Sequence, residues 1–322
     1  MRRYCRPSKL FLAALTLSAS PLAAQGPNKP FLVRERAQAF ERLQEAVNAI
    51  GGGTGTIVIA PGTYRDCAVQ EAGRVTFTAA IPRKVFFNGG TCQGKATLVL
   101  GGRSAKVEGI VFENLRVPDR NGAGIRLQGG NLVVSNSLFR SSENGILSAN
   151  DPSSSVRIEN STFSRLGHCD PGIDCAHSIY IGEYGSLSIV RSRFEKGSGG
   201  HYVKSRAPRI EIVDSSFDDT AGTGTNYMID LPHGAVGTIA RNSFVQGKDK
   251  DNDSALIFVA AEGVKNSSDG LVIAGNEASI APGASRGTNF VADRSGDRIR
   301  IENNRLGARI ARYDRRYGMI MP

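Results

Sequence analysis

The chain has 322 residues, a formal net charge of +10, 38 glycines and no tryptophan. It contains no HExxH motif and no phosphate-binding loop, which argues against a zinc metalloprotease and a nucleotide-dependent enzyme. The positive charge fits nucleic acid, an anionic surface or an acidic polymer equally well. Because the sequence shows no nucleic-acid-binding module, we expect no nucleic-acid partner.

Residues 1–24 are predicted to be a secretory signal peptide. They combine a basic start at Arg2 and Arg3 with an apolar run from Leu10 to Ala19 and small residues before Gln25. The apolar run is too short to span a bilayer, and nothing later in the chain is long and apolar enough to anchor it. We therefore expect a periplasmic or secreted protein, without an integral membrane segment, whose mature chain is residues 25–322.

Four cysteines remain once Cys5 is removed with the signal peptide. An even number of cysteines in an exported chain indicates disulfides. Of the three possible pairings we favour Cys67 with Cys92 and Cys169 with Cys175, because each pair closes a local loop. The alternative is free or zinc-bound thiols, which the lack of a paired CxxC spacing disfavours.

The first predicted element of the mature chain is an amphipathic helix over residues 34–50. Phe40, Leu43, Val47 and Ile50 recur at steps of three and four residues. Three glycines follow, and then the strand-like segment TIVIAPGTYRD begins at residue 54.

From about Val75 to Leu306 an alternating apolar segment recurs and ends each time on an apolar residue. These end positions are 23 to 34 residues apart: Phe112, Phe139, Phe163, Phe194, Phe217, Phe244, Ala278 and Leu306. A second set of short alternating segments, such as GAGIRLQ and HSIYIGE, lies between them. Strands that repeat at such a period are typical of a solenoid. We predict one all-β domain, a single-stranded right-handed parallel β-helix with an N-terminal capping helix, coils over 54–306 and a C-terminal tail over 307–322.

The residue three places before each end position is repeatedly Gly, Asn, Asp or Arg. These positions are Gly109, Asn136, Asn160, Arg191, Asp214, Arg241, Gly275 and Asn303. Since Gly, Asn and Asp tolerate left-handed backbone conformations, we interpret this column as structural corners and assign it no catalysis.

The order of helix, three glycines and IVIAPGTY resembles the opening of the pectate-lyase-like β-helix superfamily. In those proteins the helix covers the open end of the solenoid. The resemblance covers most of the mature chain at the level of the fold. It implies a protein that acts on a polymer lying along an exposed sheet.

Strand alternation predicts which side chains face outward on such a sheet. They are Arg126, Tyr180, Tyr202, Lys204, Met228 and Asp230. Aromatic residues in this row could stack on sugar rings, and the cations could neutralise carboxylates. We predict Arg126, Tyr180, Tyr202 and Arg206 as substrate-binding residues for an acidic polysaccharide.

The segment HYVKSRA around Lys204 resembles the lysine rung of polysaccharide lyases of the alginate-lyase and chondroitinase B type. There the lysine is the base that removes the proton beside a uronate carboxylate. A lysine accepts a proton only when neutral, which calls for a lowered pKa, here through Arg206, His201 or a bound cation.

The next rung departs from that pattern, since those lyases carry Arg-His-Gly where this chain has Asp230 and then His233-Gly234. In one interpretation the acid–base chemistry differs, with His233 or Tyr202 as the proton donor and Asp230 binding a cation or orienting a partner. In the other, Lys204 only pairs with Asp230 and no reaction occurs. The predicted catalytic residues are Lys204, His201, Asp230 and His233.

Two segments contain residue types that commonly bind metal ions. The loop HCDPGIDCAH brings together His168, Asp170, Asp174 and His177, but its cysteines favour a disulfide that folds the loop over the sheet. The acidic run 249–253 lacks the glycine and the distant glutamate of a calcium-binding EF-hand loop. We assign no metal site and keep Ca²⁺ only as an optional cofactor.

Three functional hypotheses follow. The leading one is an exported enzyme that cleaves an acidic polysaccharide by β-elimination. The second is a non-catalytic periplasmic or surface protein that binds such a polymer. The third is a glycoside hydrolase, which needs two carboxylic acids; the sequence shows no outward partner for Asp230 on adjacent rungs.

Overall fold

The computed structural model describes residues 29–172 and 174–314, together with Met1. The predicted signal peptide, apart from Met1, lies outside the described residues. Three sheets run side by side along the molecule, and within each sheet the strands of successive coils pair in parallel. Among the described residues, the only antiparallel pairing between strands is at the N-terminal end of the first sheet.

Sheet I contains twelve strands. In stacking order they are Gln38–Phe40, Phe31–Val33, Thr54–Ile59, Arg74–Ala79, Ser104–Glu108, Asn131–Ser135, Asp151–Glu159, Tyr184–Val190, Arg209–Val213, Val236–Ala240, Val272–Ala274 and Arg300–Glu302.

Sheets II and III contain ten strands each. Sheet II comprises Gly62–Tyr64, Val85–Asn88, Ile110–Glu113, Leu138–Ser142, Thr162–Leu166, Arg193–Glu195, Ser216–Asp218, Ser243–Gln246, Glu277–Ile280 and Arg305–Leu306. Sheet III comprises Ala68–Gln70, Ala96–Leu100, Ala123–Leu127, Asn144–Ser148, Ile179–Ile181, Val203–Ser205, Ile229–Leu231, Ala255–Val259, Thr288–Asp293 and Ile310–Asp314.

The N-terminal cap has a shorter helix than the sequence predicts. Only Leu43–Ile50 is α-helical, and Arg34–Arg36 forms a single 3₁₀ turn. The strand Phe31–Val33 pairs antiparallel with both Gln38–Phe40 and Thr54–Ile59. The first half of the predicted helix is therefore a β-hairpin, because pairing with the first coil satisfies its backbone groups and covers a sheet edge. The helix still buries its apolar face against the first coil.

The apolar end positions found in the sequence form the inner face of sheet II. From Phe112 to Phe244 the six phenylalanines pair in register on neighbouring coils, and adjacent rings stack with centroids 4.8–5.0 Å apart. This separation is close to the spacing between paired strands. Each ring is at most 1% exposed, so the column is a continuous part of the core.

The predicted corner column adopts the left-handed conformation at every coil. Its eight residues have φ between +47° at Arg191 and +73° at Gly109. Two of them, Arg191 and Arg241, are arginines, which shows that the solenoid imposes this turn even where the side chain does not favour it.

The coils extend beyond the predicted boundary at residue 306. The segment Ile310–Asp314 pairs in parallel with Thr288–Asp293 and adds a last strand to sheet III. Part of the predicted tail 307–322 is therefore a strand; residues 315–322 lie outside the described residues. Most of this strand, IARYD, is not buried, because it lies at the edge of the sheet. It therefore lacks the apolar alternation that marks the inner strands.

Two disulfides join Cys67 to Cys92 and Cys169 to Cys175, the two local pairs favoured from the sequence. Disulfides of this kind are typical of oxidising compartments. Within the described ranges, the structure has no helix long and apolar enough to cross a membrane.

Candidate functional site

The outer face of sheet III carries one column of side chains from successive coils. Arg126, Leu147, Tyr180, Lys204 and Asp230 pair in register, each on the strand that follows the previous one. Strand alternation on short segments was sufficient to predict that Arg126, Tyr180, Lys204 and Asp230 share this column.

A pocket of about 460 Å³ opens on this column. One of its walls is the disulfide-closed loop, which contributes Asp174 and Cys175. The charged and aromatic side chains that line the rest are Arg126, His177, Tyr180, His201, Lys204, Arg206 and Glu262.

Tyr202 and Met228, predicted to face outward, are instead buried at 1% and 0% exposure. The strands of their coils begin one residue later, at Val203 and Ile229, so alternation does not extend back to them. The Tyr202 hydroxyl donates to Asp219 Oδ1 at 2.6 Å and accepts from the Gly197 amide at 3.0 Å. Burial raises the pKa of Tyr202 far above its usual range. Tyr202 is therefore neither a substrate-binding residue nor the proton donor.

Lys204 lies between two carboxylates. Its Nζ is 2.5 Å from Glu262 Oε1 and 3.5 Å from Asp230 Oδ2. The ion pair with Asp230 considered from the sequence is present, and Glu262 adds a second one.

Arg206 connects the other polar groups of the pocket. It donates from Nε to Tyr180 Oη at 2.8 Å and from Nη2 to Glu262 Oε2 at 2.6 Å, and its Nη1 is 2.6 Å from His233 Nε2. Since a guanidinium only donates, His233 accepts through Nε2 and is neutral. Partial burial and the Arg206 charge both lower the pKa of His233.

Glu262 accepts from both cations, one with each carboxylate oxygen. Partial burial alone would raise its pKa, but the hydrogen bonds from Lys204 and Arg206 outweigh burial and lower it. We refer below to Lys204 and Arg206 together as the cation pair.

Asp230 shares the outward column yet is only 2% exposed, because the side chains of neighbouring coils cover it. Its Oδ2 is 3.4 Å from His201 Nε2. Burial raises the pKa of Asp230 to about 6, although the Lys204 charge opposes the shift. Burial, with the neighbouring His177 and Lys204, holds the pKa of His201 well below its usual value, so that imidazole is neutral.

We expect Asp230→Asn to change the pH dependence of stability. A carboxyl whose folded-state pKa rises from 3.8 to about 6 stabilises the fold below pH 3.8, and this contribution is lost as the pH rises through 6. Two pKa units correspond to about 3 kcal/mol. The free energy of unfolding of wild type relative to Asp230→Asn should therefore fall by about that amount between pH 3.5 and pH 7 in urea titrations. Asp214→Asn is the control, because Arg241 lowers the pKa of Asp214; a fall of equal size there would contradict the assignment.

The rings beside the cation pair form a short stack across three coils. The His177 and His201 centroids are 5.0 Å apart, and His201 and Tyr227 are 5.4 Å apart. Gly200 makes this approach feasible, since its φ is +61° and a Cβ there would lie 2.0 Å from the Ala176 carbonyl oxygen. The glycine pair before His201 thus allows one coil to come close under the previous one.

Arg126 faces the same pocket but has no ion-pair partner within 4.0 Å among the residues that the structure describes. Its Nε is buried and lacks a hydrogen-bond partner. Burial lowers the pKa of Arg126. An unpaired, partly buried guanidinium is costly unless an anion binds to it.

In the disulfide-closed loop, His168 and Asp170 are paired with protein groups. His168 Nε2 donates to the Arg120 carbonyl oxygen at 2.7 Å, and Asp170 pairs with both Arg120 and His168. In the acidic run, Lys250 is buried against Asp219 at 3.2 Å. No group of three or more His, Cys, Asp or Glu within residues 29–172 and 174–314 is arranged to hold a metal ion.

Glu262 is the main site residue that sequence reasoning missed. It lies in the loop after the strand Ala255–Val259, where no alternation or repeat marks it. Its position 58 residues after Lys204 follows from how two coils stack, which no local pattern encodes. Glu262 is also a second carboxylate near Asp230, and the glycoside hydrolase hypothesis requires such a pair.

The parallel sheets and the one-coil repeat define a parallel β-solenoid with a polar pocket on one outer face. The family model for the right-handed β-helix region matches residues 98–309, and the chain belongs to this family.

Three solved structures are similar to it. ORF18 of Geobacillus virus E2 has a TM-score of 0.54 and 13% identity, over 82% of this chain and 56% of the viral one. A pectin methylesterase from Aspergillus niger has a TM-score of 0.49 and 13% identity, over 81% and 88%. The Streptococcus pneumoniae surface protein and adhesin PfbA has a TM-score of 0.39 and 11% identity, over 84% and 94%. The chain thus spans little more than half of the viral protein, which shares its fold. No curated protein matches it.

Proposed function

We propose that this protein is exported, binds an acidic polysaccharide in the pocket on sheet III and cleaves it by β-elimination. The observation that carries the proposal is Arg126, a partly buried cation without an ionic partner that faces the pocket lined by the cation pair. Three cations around one pocket, with Tyr180 between them in the column, match a chain of sugar rings that carry carboxylates.

β-Elimination on a uronate needs three things from the site. The carboxylate must be neutralised, the proton on the adjacent C5 must be removed, and the oxygen that leaves C4 must receive a proton. The bond from C4 to that oxygen breaks as the C4–C5 double bond forms. General acid–base residues commonly contribute 10²–10⁴-fold to such steps.

The described contacts support a role for each residue. Arg126 and Arg206 bind carboxylates of the substrate. Lys204 is the base that accepts the C5 proton, as the resemblance to the lyases implies. Tyr180 lines the pocket and is the proton donor, because the hydrogen bond from Arg206 fixes its hydroxyl next to Lys204 in the column. His201 and Asp230 position the lysine, and His233 orients Arg206.

One assay separates the three functional hypotheses. Incubation with a panel of polyuronates and neutral polysaccharides should produce ultraviolet absorbance from unsaturated ends on a polyuronate only. New reducing ends without that absorbance would instead support hydrolysis, which the proximity of Asp230 and Glu262 to Lys204 favours as the second candidate. Retardation in polyuronate-containing gels without any product would indicate a binding protein.

Arg126→Ala should weaken retardation about tenfold, while Arg157→Ala on sheet I should not.

A further inference from the structure

The structure holds a carboxylate at the place where the proposed substrate would present its own. Glu262 Oε1 is 2.5 Å from Lys204 Nζ, and Oε2 is 2.6 Å from Arg206 Nη2. The two cations are two residues apart at the end of one strand, and each takes a separate oxygen of the same group. This is the arrangement with which a lysine and an arginine recognise a carboxylate ligand.

The exposure of the three side chains shows which member of the cluster solvent reaches. Lys204 and Arg206 are 12% and 18% exposed, whereas the Glu262 side chain is 42% exposed. Glu262 also comes from a loop, where its backbone N–H donates to the Pro232 carbonyl oxygen at 2.9 Å. Moving an exposed carboxylate back into water costs little free energy. A ligand carboxylate can therefore replace Glu262 without breaking the strand that carries the cation pair.

We infer that Glu262 is an internal ligand of the cation pair, and that a uronate carboxylate must displace it to bind. This inference rests on the proposed function and adds a residue that sets specificity. A neutral sugar has no group that can replace the Glu262 carboxylate, so it gains nothing from the cation pair, with or without Glu262.

The test compares Glu262→Gln with wild type in equilibrium titrations with galacturonate and glucuronate. These monosaccharides have no glycosidic bond to cleave, and galactose and glucose are their neutral counterparts. Glutamine has the same size as glutamate but cannot compete as an anion. We expect Glu262→Gln to bind both uronates about tenfold more tightly than wild type and to show a steeper loss of affinity with salt. Binding of the neutral sugars should not change.

Glu183→Gln is the matched control. Glu183 contacts Lys265 at 3.2 Å and lies 3.7 Å from His233 Nδ1, at the same end of the site but away from the cation pair. It should bind the uronates like wild type. Thermal unfolding of both variants checks that the fold is retained.

The outcomes separate this inference from the proposed function. If wild type binds polyuronates but Glu262→Gln binds the uronates equally or more weakly, Glu262 only organises the cations and the inference is wrong. If neither protein binds uronate monomers or polymers, the proposed function fails and the inference with it. Tighter uronate binding by Glu262→Gln, with Glu183→Gln unchanged, supports both.

Discussion

Lys204→Ala is expected to abolish production of unsaturated ends from a polyuronate, with a fall in kcat of about 10²–10⁴-fold. The expectation follows from the role of Lys204 as the base, since loss of a positioned general base typically costs that much. The measurement is ultraviolet absorbance under saturating substrate, with circular dichroism to check that the fold is retained. A Lys204→Ala protein of undiminished activity would contradict the base assignment.

Lys204→Arg distinguishes a base from a mere binding charge. Arginine preserves the positive charge beside Asp230 and Glu262 but stays protonated at any ordinary pH. If Lys204 is the base, this variant should keep the affinity for the polymer within a few-fold and lose turnover as Lys204→Ala does. Retained turnover in Lys204→Arg would show that the charge alone is needed.

Lys250→Met is expected to lower the free energy of unfolding by about 3–5 kcal/mol. The Lys250 side chain is 4% exposed, and its partner Asp219 is fully buried. Removal of one partner of a buried ion pair leaves an uncompensated charge in the interior, which has a cost of that size. Urea unfolding at pH 7 measures the change.

The control for this change is Lys248→Met, two residues earlier on the same loop and exposed. It should alter the free energy of unfolding by less than about 0.5 kcal/mol. The double variant Lys250→Met with Asp219→Asn should recover part of the loss, because the buried negative charge is then gone. Equal stability of the Lys250 and Lys248 variants would show that the buried pair is not stabilising.

The sequence was sufficient to predict the solenoid because its evidence is periodic. A phenylalanine at the end of successive strands and a corner residue three places earlier recur with each coil, and both columns depend only on local alternation and turn chemistry. The boundaries were less predictable. The strands Gln38–Phe40 and Ile310–Asp314 are the edge strands at opposite ends of the described stack, and each pairs on one side only. Both lack the buried apolar alternation of the inner strands.

Strand alternation predicted the outward column only where its residues lie within strands. Arg126, Tyr180, Lys204 and Asp230 followed from alternation, whereas the same rule failed at Tyr202, which precedes its strand. Glu262 could not be predicted, since a loop residue reaches Lys204 only through the stacking of coils that are far apart in sequence. Burial of Asp230 also depends on its neighbours, so its raised pKa has no local signal.

The in-register column on sheet III has a consequence for how this protein could diversify. From Arg126 to Asp230 each coil contributes one side chain to the outer face of sheet III, whereas the phenylalanine stack lies on the inner face of sheet II. Under the proposed function, substitution at Tyr180 or Arg126 therefore changes what the pocket binds, while the interior that folds the molecule stays the same. Relatives built on the same solenoid can therefore differ in ligand preference through substitutions on one coil at a time.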